Sequence, residues 1–233
     1  HYSRTIDIES SKNTDKLGPK EWEQEMIHLA LTQTNVKSMR FNFVLNDYNQ
    51  IAYKRLNRIR NKISLVSEDM TMLIPGARWL FDNFQMLYRE IKNVSSSGTS
   101  YETLPILRDK KMRGFPRIYI VAKKMVALSD GHMNEENIRV MLNAYQSKIH
   151  LTDKELWALP EMINFCLLES IIEVADEIID VIEVKNQADK FVKKKVGEEK
   201  NLKNITLFLS KMEGKMRENY SFHSQVIYLL KNM

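Results

Sequence analysis

Paired carboxylates are the simplest apparatus for general acid and base catalysis, and Glu169, Glu173, Asp176, Glu177 and Asp180 fall within one short stretch of this chain. They recur three and four residues apart beside apolar neighbours, which is also the pattern of a solvated helix edge, and such an edge is expected. The five histidines are scattered. No His-Glu-x-x-His and no neighbouring nucleophile accompanies them, so metal-assisted hydrolysis and a Ser-His-acid triad have no support. Cys166 lies between Phe165 and Leu167 and reads as an inert core thiol. As the only cysteine it also excludes an internal disulfide, and no Cys/His cluster offers the ligands of a structural zinc. Seven glycines form no phosphate-cradling loop. Trp22, Trp79 and Trp157 could each stack on a sugar ring, but at helical spacing they are expected as core anchors. No catalytic residue, metal ligand or cofactor is expected in this chain.

The composition sets the frame for these residues. The chain has 233 residues, 43% hydrophobic and 28% charged, with 7 Gly and 5 Pro, which describes a globular protein rather than a disordered one. Thirty-five Lys and Arg against 30 Asp and Glu leave +5, with both signs interspersed, too weak a bias to argue nucleic acid. Mean hydropathy is −0.39, and no run approaches the roughly 20 apolar residues of a spanning helix. The chain is expected to be cytoplasmic and to cross no membrane by itself. It opens on His1, so a piece of a longer protein with a tag remnant at its start is expected.

The elements that must position any site are helical. Residues 1–19 read as a flexible lead-in ending at Gly18-Pro19, and residues 20–233 as a single helical domain. Apolar residues recur at helical spacing from Trp22 to Leu31, from Phe43 to Ile63 and from Leu80 to Ile91. A long loop spans about 94–114 and carries a basic run, Arg108, Lys110, Lys111 and Arg113, a candidate for contact with a partner. Pro116 opens a helix that Gly131 ends, and Asn134 caps the next. Thr152 with Glu155 forms a capping box that starts the longest helix, which Pro160 should kink or split. In that helix Leu167, Ile171, Val174, Ile178 and Val181 form a seam, widened by Leu168, Ile172, Ile179 and Ile182. Two shorter helices, around Leu207 to Met216 and Phe222 to Leu230, close the chain. No strand alternation of useful length appears. The expected fold is all-α: an irregular bundle of about seven to eight helices around one long central helix.

Three segments together carry a resemblance. They are Gly76-Ala77-Arg78-Trp79-Leu80-Phe81-Asp82-Asn83-Phe84; Leu104-Pro105 with Phe115-Pro116-Arg117-Ile118-Tyr119; and Tyr145-Gln146 with Leu151-Thr152 and Glu155-Leu156-Trp157-Ala158-Leu159-Pro160. In order and type they resemble the N-terminal region of cyclic β-1,2-glucan synthases, over roughly residues 70 to 185. Gln85, where that family often has His, and Phe115, where it has Tyr, are departures that remove no residue with a catalytic duty. The resemblance implies a large membrane-associated parent enzyme that polymerises glucose from UDP-glucose. This chain would be a non-catalytic cytoplasmic segment on the inner face of the membrane, its partners the other domains of the parent. Among the matched residues, Arg117 could pair with Asp82 or with Glu155. Arg78, Asp82, Arg117 and Glu155 are therefore the candidates for a structural polar network or for a small-ligand site. An independent helical adaptor that uses the basic loop on an acidic partner is the alternative.

Overall fold

A computed structural model describes residues 18–38, 45–65, 75–96, 104–108 and 112–198, together with 226 and 228. Among them are six helices: α1 (Pro19–Thr32), α2 (Leu45–Ser64), α3 (Pro75–Ser96), α4 (Arg117–Leu128), α5 (Glu135–Gln146) and α6 (Asp153–Glu198). The fold is all-α, with six helices among the described residues where seven or eight were expected. Residues 1–17 of the expected lead-in and the two closing helices lie outside the described residues, apart from Val226 and Tyr228, which are helical; Pro19, expected as the end of the lead-in, is the first residue of α1. No helix among the described residues is long and apolar enough to cross a membrane. The chain divides into two compact units, one drawn from His1–Tyr53 and Met86–Ile171, the other from Lys54–Gln85 and Ile172–Met233.

The first unit is built around α4. Ile118, Tyr119, Ile120, Val121 and Ala122 are all buried in succession, and Met125 and Val126 follow, so this helix is enclosed on nearly every side. Helix α1 starts at the Pro19 that the sequence marks, with the Glu21 carboxylate accepting from the Gly18 N–H at 2.9 Å. It buries Met26, Leu29 and Ala30 and packs chiefly on α5, with a smaller contact to α4. Helix α5 begins where expected, the Asn134 side chain accepting from the Asn137 N–H at 2.8 Å. Helix α4 ends in a left-handed turn: Asp130 has φ 50° and Gly131 φ 75°, and the Gly131 N–H reaches back to the Val126 carbonyl at 2.9 Å.

One element of this unit is absent from the sequence reading. A strand β1 (Val36–Ser38) pairs antiparallel with β2 (Pro105–Leu107), Val36 opposite Leu107 and Ser38 opposite Pro105, and Ile106 bridges to Pro116. Leu104, Ile106 and Leu107 are buried. The segment expected as a loop over 94–114 therefore holds a strand, and α3 runs on to Ser96 at its start. Three residues are too few for a period of two to be visible, so only the pairing across distant sequence reveals them.

In the second unit α2 and α6 lie side by side and run in the same direction. Arg55 donates to Asp176 at 2.9 Å and Lys62 pairs with Glu183; both pairs are 121 residues apart in sequence, one step of seven along each helix. Such half-exposed pairs contribute at most about 1 kcal/mol each, but they set direction and register. Leu56, Ile59 and Ile63 on α2 and Ile172, Ala175, Ile179 and Ile182 on α6 form the buried faces. The seam on α6 is thus turned by one residue from the expected one, with Val174 exposed and Ala175 buried. Two adjoining apolar stripes are available on that helix, and the neighbours decide which is covered. Gly76 admits the first turn of α3 against α6, since a Cβ there would sit 2.6 Å from the Ile178 Cδ1. Pro160 does not split α6, which continues through it.

Backbone strain, not space, governs the end of α4, because a Cβ on Gly131 would meet Leu167 only at an ordinary 3.6 Å. Gly131→Ala should cost about 1–2 kcal/mol in urea unfolding, while Asp130→Gly should move the midpoint the other way.

Candidate functional site

A buried ion pair sits where α4 and α6 begin. Arg117 is the first residue of α4, where a positive charge opposes the helix dipole, and it is only 5% exposed. Glu155 answers it. The guanidinium makes a two-pronged contact, Nε to Oε1 at 2.8 Å and Nη2 to Oε2 at 2.6 Å, and Nη2 also donates to the His150 carbonyl at 3.3 Å. Glu155 is 0% exposed. Its Oε2 takes two more hydrogen bonds, from the Thr152 N–H and the Thr152 hydroxyl, each at 2.9 Å, while the Glu155 N–H approaches the Thr152 Oγ1 at 3.4 Å. That is the capping box of the sequence, with its carboxylate shared by a second helix.

Burial alone would lower the Arg117 pKa, but the hydrogen bond and the charge of Glu155 outweigh it and hold the guanidinium above its usual value. Close by, the buried Tyr145 hydroxyl donates to the Gln33 Oε1 at 2.7 Å, and burial pushes this phenol well above its ordinary value of 10.0. Tyr145 thereby ties α5 to the residue that closes α1. A second knot joins α4 to α6: the Tyr119 hydroxyl donates to Glu169 at 2.9 Å, with the Lys123 ammonium 3.7 Å from the same carboxylate and 5.9 Å from the centre of the Tyr119 ring. Phe115 stacks on Tyr119 at 5.6 Å and Phe165 meets it edge-on at 5.7 Å.

The candidates from the sequence divide between the two units. Arg117 takes Glu155 as its partner. Asp82 is taken by Arg78 one helical turn away at 2.9 Å, both about half exposed, in the other unit. Arg108 and Arg113 are exposed. Next to them, the Leu107 N–H donates to the Phe115 carbonyl and the Gly114 N–H to the Leu107 carbonyl, both at 3.0 Å. Lys110 and Lys111 lie outside the described residues. Among the carboxylates read as a solvated edge, Glu169 and Asp176 are engaged with Tyr119 and Arg55 instead. Periodicity places a residue on a helix edge but does not say which side chain faces it.

The tryptophans depart furthest from expectation. Trp157 is 83% exposed and Trp79 46%, so neither anchors a core; Trp22 is half-buried, with its Nε1 lacking an acceptor. Their spacing fits a helix, but the covered arc of α6 passes through Ala158 and Leu159 and leaves Trp157 outside it. Among the described residues no three His, Cys, Asp or Glu side chains are grouped to hold a metal ion. The Arg117–Glu155 pair joins the start of α4 to the start of α6. Its carboxylate has no exposed lone pair to offer a substrate, and its charges hold two helix starts together.

No family model matches the chain. Over 126 residues, 52% of its length, it is 29% identical to the cyclic β-(1,2)-glucan synthase NdvB of Rhizobium meliloti (strain 1021). The chain spans about 4% of the length of that protein.

Removing one partner of the buried pair strands the other charge, so Arg117→Met should destabilise the chain by about 3–5 kcal/mol in urea unfolding. Arg117→Met with Glu155→Leu should recover part of the loss, leaving mainly the cost of the lost cap, about 1 kcal/mol. Tyr145 gives a pH signature. Its proton is held more tightly in the folded than in the unfolded chain, so its contribution is full below pH 10.0 and declines above it, as the unfolded phenol ionises. Tyr145→Phe should be less stable at neutral pH, because Gln33 loses its donor, and should show a shallower decline in stability between pH 9 and 11.

Proposed function

We propose that this chain is a non-catalytic helical scaffold and docking module of a cyclic β-1,2-glucan synthase-like protein, whose parent polymerises glucose from UDP-glucose. The observation that carries this reading is the 29% identity over 126 residues to a protein of which the chain spans about 4%. A match to so small a part of a synthase fits an accessory segment better than the centre that transfers glucose. The saturated Arg117–Glu155 pair supports the same view, since a buried charge spent on joining helices orients them and leaves nothing for a reaction. The partners would be the other domains of the parent. The module would lie on the cytoplasmic side, held at the membrane through the parent rather than by a span of its own, with no nucleic acid and no cofactor bound.

The second reading, an independent adaptor for an acidic partner, draws on the exposed Arg108 and Arg113, beside backbone hydrogen bonds that join Leu107 to Gly114 and Phe115. Lys110 and Lys111 belong to the same run of sequence.

The purified, folded chain should transfer no glucose from radiolabelled UDP-glucose to a glucan acceptor, yet should bind the remainder of the parent protein in a pull-down. Glucose transfer by the isolated chain would overturn the non-catalytic reading. Failure to bind the remainder, together with capture of an acidic polypeptide that is released as salt rises, would replace it with the adaptor.

A further inference from the structure

Where α2 and α6 lie side by side, their charged bridges use only one flank of each helix. Beside Arg55 and Lys62, α2 carries a second stripe, Lys54, Arg58, Asn61 and Leu65, at steps of four, three and four. All four are exposed, Leu65 to 86%. Beside Asp176 and Glu183, α6 carries Glu173, Glu177, Asp180 and Val184 at the same steps. Glu177 and Asp180 are exposed, and Glu173 and Val184 are half-buried. Lys54, Arg58, Glu173, Glu177 and Asp180 make no hydrogen bond or ion pair among the described residues.

The bridges fix how these stripes stand to each other. Arg55 meets Asp176 and Lys62 meets Glu183 in one register, which sets Lys54 level with Glu173 and Arg58 level with Glu177 to within about 3 Å along the helices. Asn61 and Asp180, and Leu65 and Val184, follow at the same level. Both stripes lie on the solvent side of the bridges, because the buried residues, Leu56 and Ile59 on α2 and Ala175 and Ile179 on α6, lie on the other. A basic stripe thus runs beside an acidic one on one surface. A polyanion that reached Lys54 and Arg58 would meet the carboxylates of α6 roughly 10 Å away, within a Debye length. The partner that fits this face must carry both signs, side by side and at this spacing. A second copy of the chain does.

We propose that the exposed face of α2 and α6 pairs with the same face of a second copy to give a parallel two-fold dimer. A half-turn about an axis parallel to the helices lays α2 of each copy on α6 of the other, pointing the same way and at the same level. Lys54 then faces Glu173 of the second copy and Arg58 faces Glu177 of the second copy. Asn61 offers its amide to Asp180 of the second copy, and Leu65 meets Val184 of the second copy. Each contact occurs twice by symmetry, with cation on anion, amide on anion and aliphatic on aliphatic. The face measures roughly 17 Å along twelve residues and 20 Å across two helices, about 350 Å² per copy, against about 800 Å² for a standard interface. The dimer is therefore weak and sensitive to salt. This inference stands apart from the synthase reading and does not depend on it.

The test is sedimentation equilibrium of the full chain over a range of concentration and salt. The chain should dimerise reversibly as its concentration approaches millimolar at low salt, and the dimer should weaken as salt rises. Lys54→Glu with Arg58→Glu should weaken dimerisation about tenfold or more, and so should Glu173→Lys with Glu177→Lys. These side chains have no partner within the described chain, so helical circular dichroism should be retained in both variants. Mixed in equal amounts, the two variants should dimerise again, because each reversed stripe then meets its opposite. Mixing would not repair a general loss of folding. A chain that stays monomeric at near-millimolar concentration and low salt would overturn the proposal, even if its cations captured a polyphosphate. So would a dimer indifferent to either reversal, or one lost in both variants and not regained on mixing.

Discussion

A carboxylate that has left water entirely must be fully occupied, and Glu155 shows how much structure that requirement can organise. Its two oxygens receive Arg117 from the start of α4 and the backbone and hydroxyl of Thr152 from the start of α6. Each helix start is compromised alone: α4 has a cation at its positive end, and α6 has unpaired amide donors. One buried anion answers both. Because the group is worth little unless all its bonds are made, it tolerates few arrangements of the two helices, and it contributes uniqueness more than net stability. The small β1–β2 pairing adds to this constraint, since Ile106 bridges to Pro116, the residue directly before Arg117.

The second unit is ordered by weaker means. Its charged pairs, Arg55 with Asp176 and Lys62 with Glu183, stay partly in water and contribute little energy. Their value is geometric: two identical steps of seven specify parallel helices and one register. The energy lies in the branched side chains between them, and in the close approach that Gly76 permits near Ile178.

Function follows from what these constraints leave over. Arg117 and Glu155, and Tyr145 and Gln33, are spent on joining helices. Other groups remain at the surface. They include the cations Arg108 and Arg113 and the indole of Trp157.

Much of this protein was determined by the sequence alone. Helical periodicity, Pro19, Asn134, the Thr152–Glu155 box and the Gly131 stop are local signals, acting within one or two turns, and they suffice for an all-α chain with its helix starts in place. For Arg117 the sequence offered two partners, Asp82 and Glu155, without choosing between them. Tertiary structure alone decided the rest. Asp82 went to Arg78, since a partner four residues away is already within reach. The buried stripe of α6 moved by one residue because Ala175, small and easily overlooked, fits the contact where Val174 does not. The β1–β2 pairing joins segments some 70 residues apart and has no local trace. Trp157 has the type and spacing of a core residue, yet which arc of a helix is covered depends on where its neighbours lie, and they lie on the other side.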